Sequence, residues 1–301
     1  MPFFHRPPHD RGPLRPRLPA PSPGNPPSQG GDRPCAGSTS PSLSISASHV
    51  PASLCAPVSP VPPSANTLSR APSDALTETE LRAAAQVGYA VIDLETTGLS
   101  PVSDTILEVA VVLTDPSGCT QTSWSTLINP GRGTDVGPTH IHGLIAQDLL
   151  DAPSLDEVAD RLARDLAGRA VVAHNARFDV GFLTQALGRR RLLDPGAPIP
   201  RVCTMEWSRH FMATPSRRLT TCCEVAGVEI GRHHSALDDA RAAAGLLRHY
   251  MSVGRARGEE PVAWTRSLVD AWRFTGWHWD DERAQGADER LVTRQRPGAL
   301  R

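Results

Sequence analysis

Apolar positions along the chain fall into three regimes. Through roughly the first 78 residues they stand isolated among prolines, serines and arginines and keep no period. From Tyr89 onward they crowd into short β-branched runs: YAVIDLET (Tyr89–Thr96), ILEVAVVLT (Ile106–Thr114) and the alternating TQTSWSTLI (Thr120–Ile128). Such runs predict strands. The connections, Gly98–Asp104 and Asp115–Gly118, are short enough to make the three an antiparallel meander. After Asn129-Pro130-Gly131 the period changes. Leu155, Val158, Leu162 and Leu166 share one helical face, with Ser154 as cap and Gly168 as stop.

Ala170–His174 then reads as a fourth short strand and Phe178–Leu187 as a helix, with a basic patch at Arg189–Arg191. A further short strand is expected over Arg201–Thr204, helices over Met205–Met212 and Leu219–Ala226, and a long last helix from Ala236 to Val253. A helical lead-in, TETELRAAAQV, precedes the first strand. A meander followed by alternating helices and strands predicts an α/β domain, its mixed sheet flanked by helices on both faces. The domain is expected over 80–254, between an extension (1–79) and a tail (255–301).

Composition bears mainly on the two ends. Eighteen of the 29 prolines lie in the first 78 residues, where Phe3 and Phe4 are the only aromatic side chains. Such a segment cannot bury enough apolar surface to offset its chain entropy, so a disordered extension is expected. Its prolines interrupt every apolar stretch a secretory signal would need and disfavour the amphipathic helix of a transit peptide. No run approaches the ~20 apolar residues of a membrane span, and a cytoplasmic protein is expected. The six cysteines form no CxxC pair and read as reduced thiols. All basic residues are arginine, and the net charge of −1 weighs against a protein that coats long nucleic acid, though not against one that grips a strand end.

The acidic positions carry the chemistry. Asp93 and Glu95, at i and i+2 of a strand, project from one face about 6.6 Å apart along the chain. Two anions so placed in an apolar setting need a compensating cation, unless the strand end is simply solvated. Oxygen-only ligands suit Mg²⁺ or Mn²⁺. HNARFDVGF (His174–Phe182) puts Asp179 in the first turn of a helix, where it could equally complement the helix dipole. In HHSALDD, His234 precedes Asp239 by five residues, a spacing that helix capping would also explain. His233 with Asp238 has the same spacing, and the residues alone leave both pairings open.

Together, DxE on the first strand, NAxFD at a strand–helix junction and HxAxxD on the last helix resemble the DnaQ-like DEDDh 3′→5′ exonucleases. The likeness is greatest to the proofreading epsilon subunit of bacterial DNA polymerase III, and THIHGL (Thr139–Leu144) resembles the family's HGI-type turn. It covers about Gly88 to Met251 and implies a ribonuclease H-like fold. It also implies that Asp93 bridges two divalent cations, Mg²⁺ or Mn²⁺, that Glu95 and Asp239 complete one, and that Asp179 holds the other partly through water. His234 is the implied general base, and Thr96, Thr97, His142, Asn175 and Phe178 the implied lining of the substrate pocket. The expected partner is a nucleic acid 3′ end, single-stranded DNA first, with a DNA polymerase or other replication or repair protein beside it. A 3′→5′ exoribonuclease of the same fold, or a retired module that only binds nucleic acid, are the alternatives.

The tail lies beyond the resemblance and holds four of the six tryptophans. Trp264, Leu268 and Trp272 are expected on one face of a single helix, docked on the domain or offered to a partner.

Overall fold

A computed structural model describes residues 76–259 and 262–294, which lie within one compact unit, Ser69–Arg301. The expected disordered extension falls outside the described residues apart from its last few positions. Five strands form one sheet: β1 (Tyr89–Thr96), β2 (Ile106–Thr114), β3 (Thr120–Leu127), β4 (Ala170–Ala173) and β5 (Arg201–Cys203). Their order is β3-β2-β1-β4-β5, antiparallel from β3 to β1 and parallel from β1 to β5. This is the mixed sheet the sequence pattern predicts, in the ribonuclease H-like arrangement the family resemblance implies. The helices are α1 (Glu78–Ala84), α2 (Thr139–His142), α3 (Leu155–Leu166), α4 (Ala176–Gly188), α5 (Thr204–Phe211), α6 (Leu219–Ala226), α7 (Ala236–Arg257), α8 (Val262–Arg273) and α9 (Asp281–Gly286).

Alternation along β1 divides the core. Ala90, Ile92 and Leu94 face Val158 and Leu162 of α3 and Phe182 and Leu183 of α4. Tyr89 and Val91 face the opposite layer, where α7 contributes Ala240, Ala243, Ala244 and Leu247. Asp93 and Glu95 continue this second set, so strand periodicity alone directs both toward α7. The alanines of α7 let the helix lie close on the strands.

The tail is built into the domain. Where the sequence suggested one helix, α8 and α9 form, followed by a 3₁₀ turn at Ala287–Arg290. On α8, Trp264, Leu268, Val269 and Ala271 are buried, and the Trp264 indole donates to the Tyr89 hydroxyl at 2.9 Å. Trp272, expected on the same face, is 49% exposed. Eight residues at 100° each place it about 80° away from Trp264, whereas Ala271 falls within about 20°. Trp277 then bridges to Leu193 and enters the layer under α3. Arg283 pairs with Asp160 at 2.9 Å, Arg290 with Glu157 at 2.5 Å, and Asp288 with Arg161, fixing the segment along α3. It ends alongside β3, where Leu127 N donates to Val292 O at 2.7 Å and Val292 N to Thr126 Oγ1 at 3.0 Å.

No helix among the described residues is long and apolar enough to cross a membrane. Cys119, Cys203, Cys222 and Cys223 are free thiols.

Candidate active site

The register of β1 on β2 shifts between Glu95 and Thr96, ending regular pairing where the acidic side chains emerge. Oxygens of Asp93, Glu95 and Asp239 lie within 4.8 Å of one another. Asp239 comes from the first turn of α7. Asp179, on the first turn of α4, is 3% exposed and close enough to Asp93 to be the strongest charge acting on it. The four implied ligands therefore converge from β1, α4 and α7.

Their electrostatics would be eased by a bound cation. Desolvation, then Asp179, Asp239, Glu95 and Glu108, hold the Asp93 carboxyl well above the usual carboxylate range. Glu95 is pushed up to about 8 by desolvation and by Glu108, with Arg294 opposing. Desolvation takes Asp179 to about 7 despite backbone hydrogen bonds from its own amide and that of Leu94. A divalent ion with oxygen-seeking chemistry relieves all three, so these donors fit Mg²⁺ or Mn²⁺.

Both histidines of HHS reach the cluster. His233 Nδ1 lies 3.1 and 3.2 Å from the two Asp239 oxygens. The backbone N–H of His234 donates to Asp239 Oδ2 at 3.0 Å, and the two rings stack 3.8 Å apart. His234 adopts a left-handed backbone, φ 65°. Desolvation and His233 lower its pKa, against a raising effect from Asp239. The alternative pairing of His233 with Asp238 does not form: Asp238 accepts from Arg232 N at 2.9 Å.

The implied pocket residues divide. Phe178 is half-buried, its ring 5.0 Å from that of Phe182, and so belongs partly to the core. Asn175 is exposed in the left-handed region at φ 80°, which asparagine tolerates better than most residues. Thr96 Oγ1 donates to Gly98 O at 2.6 Å and Thr97 Oγ1 accepts from Thr105 N at 3.1 Å, so both hydroxyls shape the 97–105 loop. His142 departs from expectation. It is 2% exposed, with Nε2 3.1 Å from Val136 O and Nδ1 accepting from Leu144 N at 3.0 Å. With both ring nitrogens committed to its own turn, its side chain has no polar atom left for a substrate. Gly137 lets this turn pass the site: a Cβ there would fall 1.9 Å from Thr97 O, and its φ is +75°.

A family model described as an exonuclease, RNase_T, matches residues 90–247, spanning β1 through most of α7. The chain belongs to this exonuclease family, the DnaQ-like group its motifs resemble. The exonuclease domain is 33% identical over 167 residues to the PolC-type DNA polymerase III of Bacillus cereus, covering 55% of this chain and 11% of the polymerase. Against the Bacillus subtilis PolC-type enzyme it is 34% identical over 172 residues, covering 56% of this chain and 12% of that protein. This chain thus spans about a ninth to an eighth of those relatives. Its fold is similar to that of Escherichia coli exonuclease I in complex with a dT13 oligonucleotide, with a TM-score of 0.52 at 18% identity over 57% of this chain and 43% of the other.

Two residues of the exonuclease domain's acidic corner escaped the motif reading. Glu108 is 1% exposed and directly opposite Glu95; as the single charge in the buried run ILEVAVVLT it was visible in principle. Arg294 pairs with Glu108 Oε2 at 2.6 Å, and nothing in its local sequence marks it.

Proposed function

We propose that this exonuclease domain removes nucleoside 5′-monophosphates one at a time from the 3′ end of DNA, single-stranded DNA foremost, in proofreading or repair. The observation that carries the reading is the convergence of Asp93, Glu95, Asp179 and Asp239 beside a histidine pair. Asp93, Glu95 and Asp239 would hold one divalent ion, and Asp93 with Asp179 a second. Bound there, two such ions supply the positive charge that a phosphodiester needs at its attacking and leaving oxygens.

The remaining steps fall to the chain's own groups. His234, held neutral near pH 7 by its lowered pKa, accepts a proton from the attacking water. Phe178 offers a ring face to the terminal base or sugar without reading sequence. Asn175, exposed at the start of α4, lies beside it. The bulge after Glu95 and the 97–105 loop shape the wall that stops the strand end. DNA is favoured over RNA by the PolC-type relatives and the oligonucleotide-bound neighbour. A retired binding module is disfavoured because every acidic position of the three motifs is filled. The same reading includes a polymerase or repair partner and puts the domain in the cytoplasm, where its free thiols stay reduced.

The test compares 3′-labelled and 5′-labelled single-stranded DNA, and a matched RNA, with Mg²⁺, Mn²⁺ or chelator. Immediate release of 3′ label as mononucleotide, only with metal and preferentially from DNA, is expected. Release of 5′ label first, or indifference to chelator, would overturn the reading.

A further inference from the structure

Five acidic side chains meet in this corner, yet the motifs account for four. Glu108 is the fifth, deeply buried and cross-strand from Glu95. A free carboxylate there would compete with Glu95 for any cation, since both extend from adjacent strands toward the same place. Arg294 prevents this. Its Nη2 and Nε donate to Glu108 Oε2 at 2.6 and 3.2 Å, and its Nη1 donates to the His142 carbonyl at 2.6 Å. The same Glu108 oxygen lies 3.4 Å from Ala236 N, the first residue of α7. The Arg294 side chain is 13% exposed, and the pairing of Val292 with Thr126 and Leu127 holds the chain two residues before it against β3.

Resting on the nuclease reading, we infer that Arg294 is a positioning residue of the exonuclease site. It withholds Glu108 from the cation-binding set and ties the His142 turn to the corner from which α7 presents Asp239. A planar guanidinium suits this role because it sets Nη2 and Nε on one Glu108 oxygen while Nη1 reaches the His142 carbonyl; a lysine can neutralise Glu108 but cannot hold both partners in the same geometry. The domain thereby draws one determinant of its active site from outside the 90–247 stretch that the family match covers.

The full chain is compared as wild type, Arg294→Ala, Arg294→Lys, Glu108→Gln and the double variant Glu108→Gln/Arg294→Ala. Each is assayed for kcat and KM on single-stranded DNA, for Mn²⁺ affinity by isothermal titration, and for Tm. Arg294→Ala is expected to lower kcat at least about tenfold, change KM less than about threefold and shift Mn²⁺ affinity more than about fivefold. Both changes should largely disappear when Ala replaces Arg294 in the Glu108→Gln background, with Arg294→Lys intermediate. A purely structural arginine would lower Tm with kcat per folded molecule and Mn²⁺ affinity unchanged, and that result overturns the inference. So does an equal loss in both backgrounds. If Arg294→Ala does not fold, Arg294→Lys and the double variant, each with its own Mn²⁺ titration, decide: unaltered affinity in Arg294→Lys rejects it. A wild type that binds Mn²⁺ but cleaves nothing refutes the nuclease reading, while the titrations still report on Arg294.

Discussion

Asp93 illustrates how a strand position becomes a reactive one. It follows Val91 on the α7-facing side of β1, and the next two acidic groups are brought beside it by α4 and α7 rather than by neighbours in sequence. On the proposed reading, removing one carboxylate removes a cation ligand but little packing. Asp93→Ala and Asp239→Ala should each lower Mn²⁺-dependent turnover by about two to three orders of magnitude or more, with circular dichroism unchanged; near-normal turnover in either would defeat the assignment. His234→Ala should cost about 10²–10⁴ in kcat and leave Mn²⁺ affinity within about threefold. Because His233, not His234, places its ring nitrogen on Asp239, His233→Ala serves as the comparison. A larger kcat loss there than in His234→Ala would transfer the base role to His233.

At the level of elements, the strands and α7 were legible because burial writes its period directly into the sequence. β2 is buried along its whole length, and its run of nine residues carries one charge. The four converging carboxylates were legible for the related reason that each breaks an apolar pattern at a strand end or helix start. What failed was reach. The expectation for α8 relied on a spacing of eight, and helical geometry rotates Trp272 out of the interface. Trp264→Ala should therefore cost about 3–5 kcal/mol and Trp272→Ala less than about 0.5 kcal/mol, as read from urea denaturation; equal costs would contradict the packing described. His142 failed differently. Its motif position suggested a ligand contact, but ring hydrogen bonds to Val136 and Leu144 had already used the side chain, and no local pattern announces such bonds. Arg294 was illegible because its partner lies 186 residues earlier.

Across the whole molecule, the raised carboxyls set a dependence of stability on pH. A carboxyl that titrates higher folded than unfolded takes up protons on folding, so its contribution is lost as pH rises between the two values. For Glu95 that interval ends at about 8, and for Asp179 at about 7. Histidines with lowered values, His142, His174, His234 and His249, act in the opposite sense, but their effect is complete above about pH 6.5. Metal-free protein should therefore lose Tm between pH 6.5 and 8.5. Mn²⁺ at about one hundred times its pH 6.5 Kd should restore roughly 2.7 kcal/mol at that pH, or about 5–10 °C at this size, and the same Mn²⁺ concentration should restore more at pH 8, where the carboxyls are ionised. Calorimetry showing a flat metal-free profile over that window would contradict the site's electrostatics.

The circuit of the tail also gives the protein a clock. A ribosome adding about 5–20 residues each second finishes Glu108 roughly ten to forty seconds before it reaches Arg294, 186 positions later. Until Arg294 is made Glu108 has no guanidinium to pair with, so the ion pair that completes the acidic corner can form only after nearly all of the domain has left the ribosome.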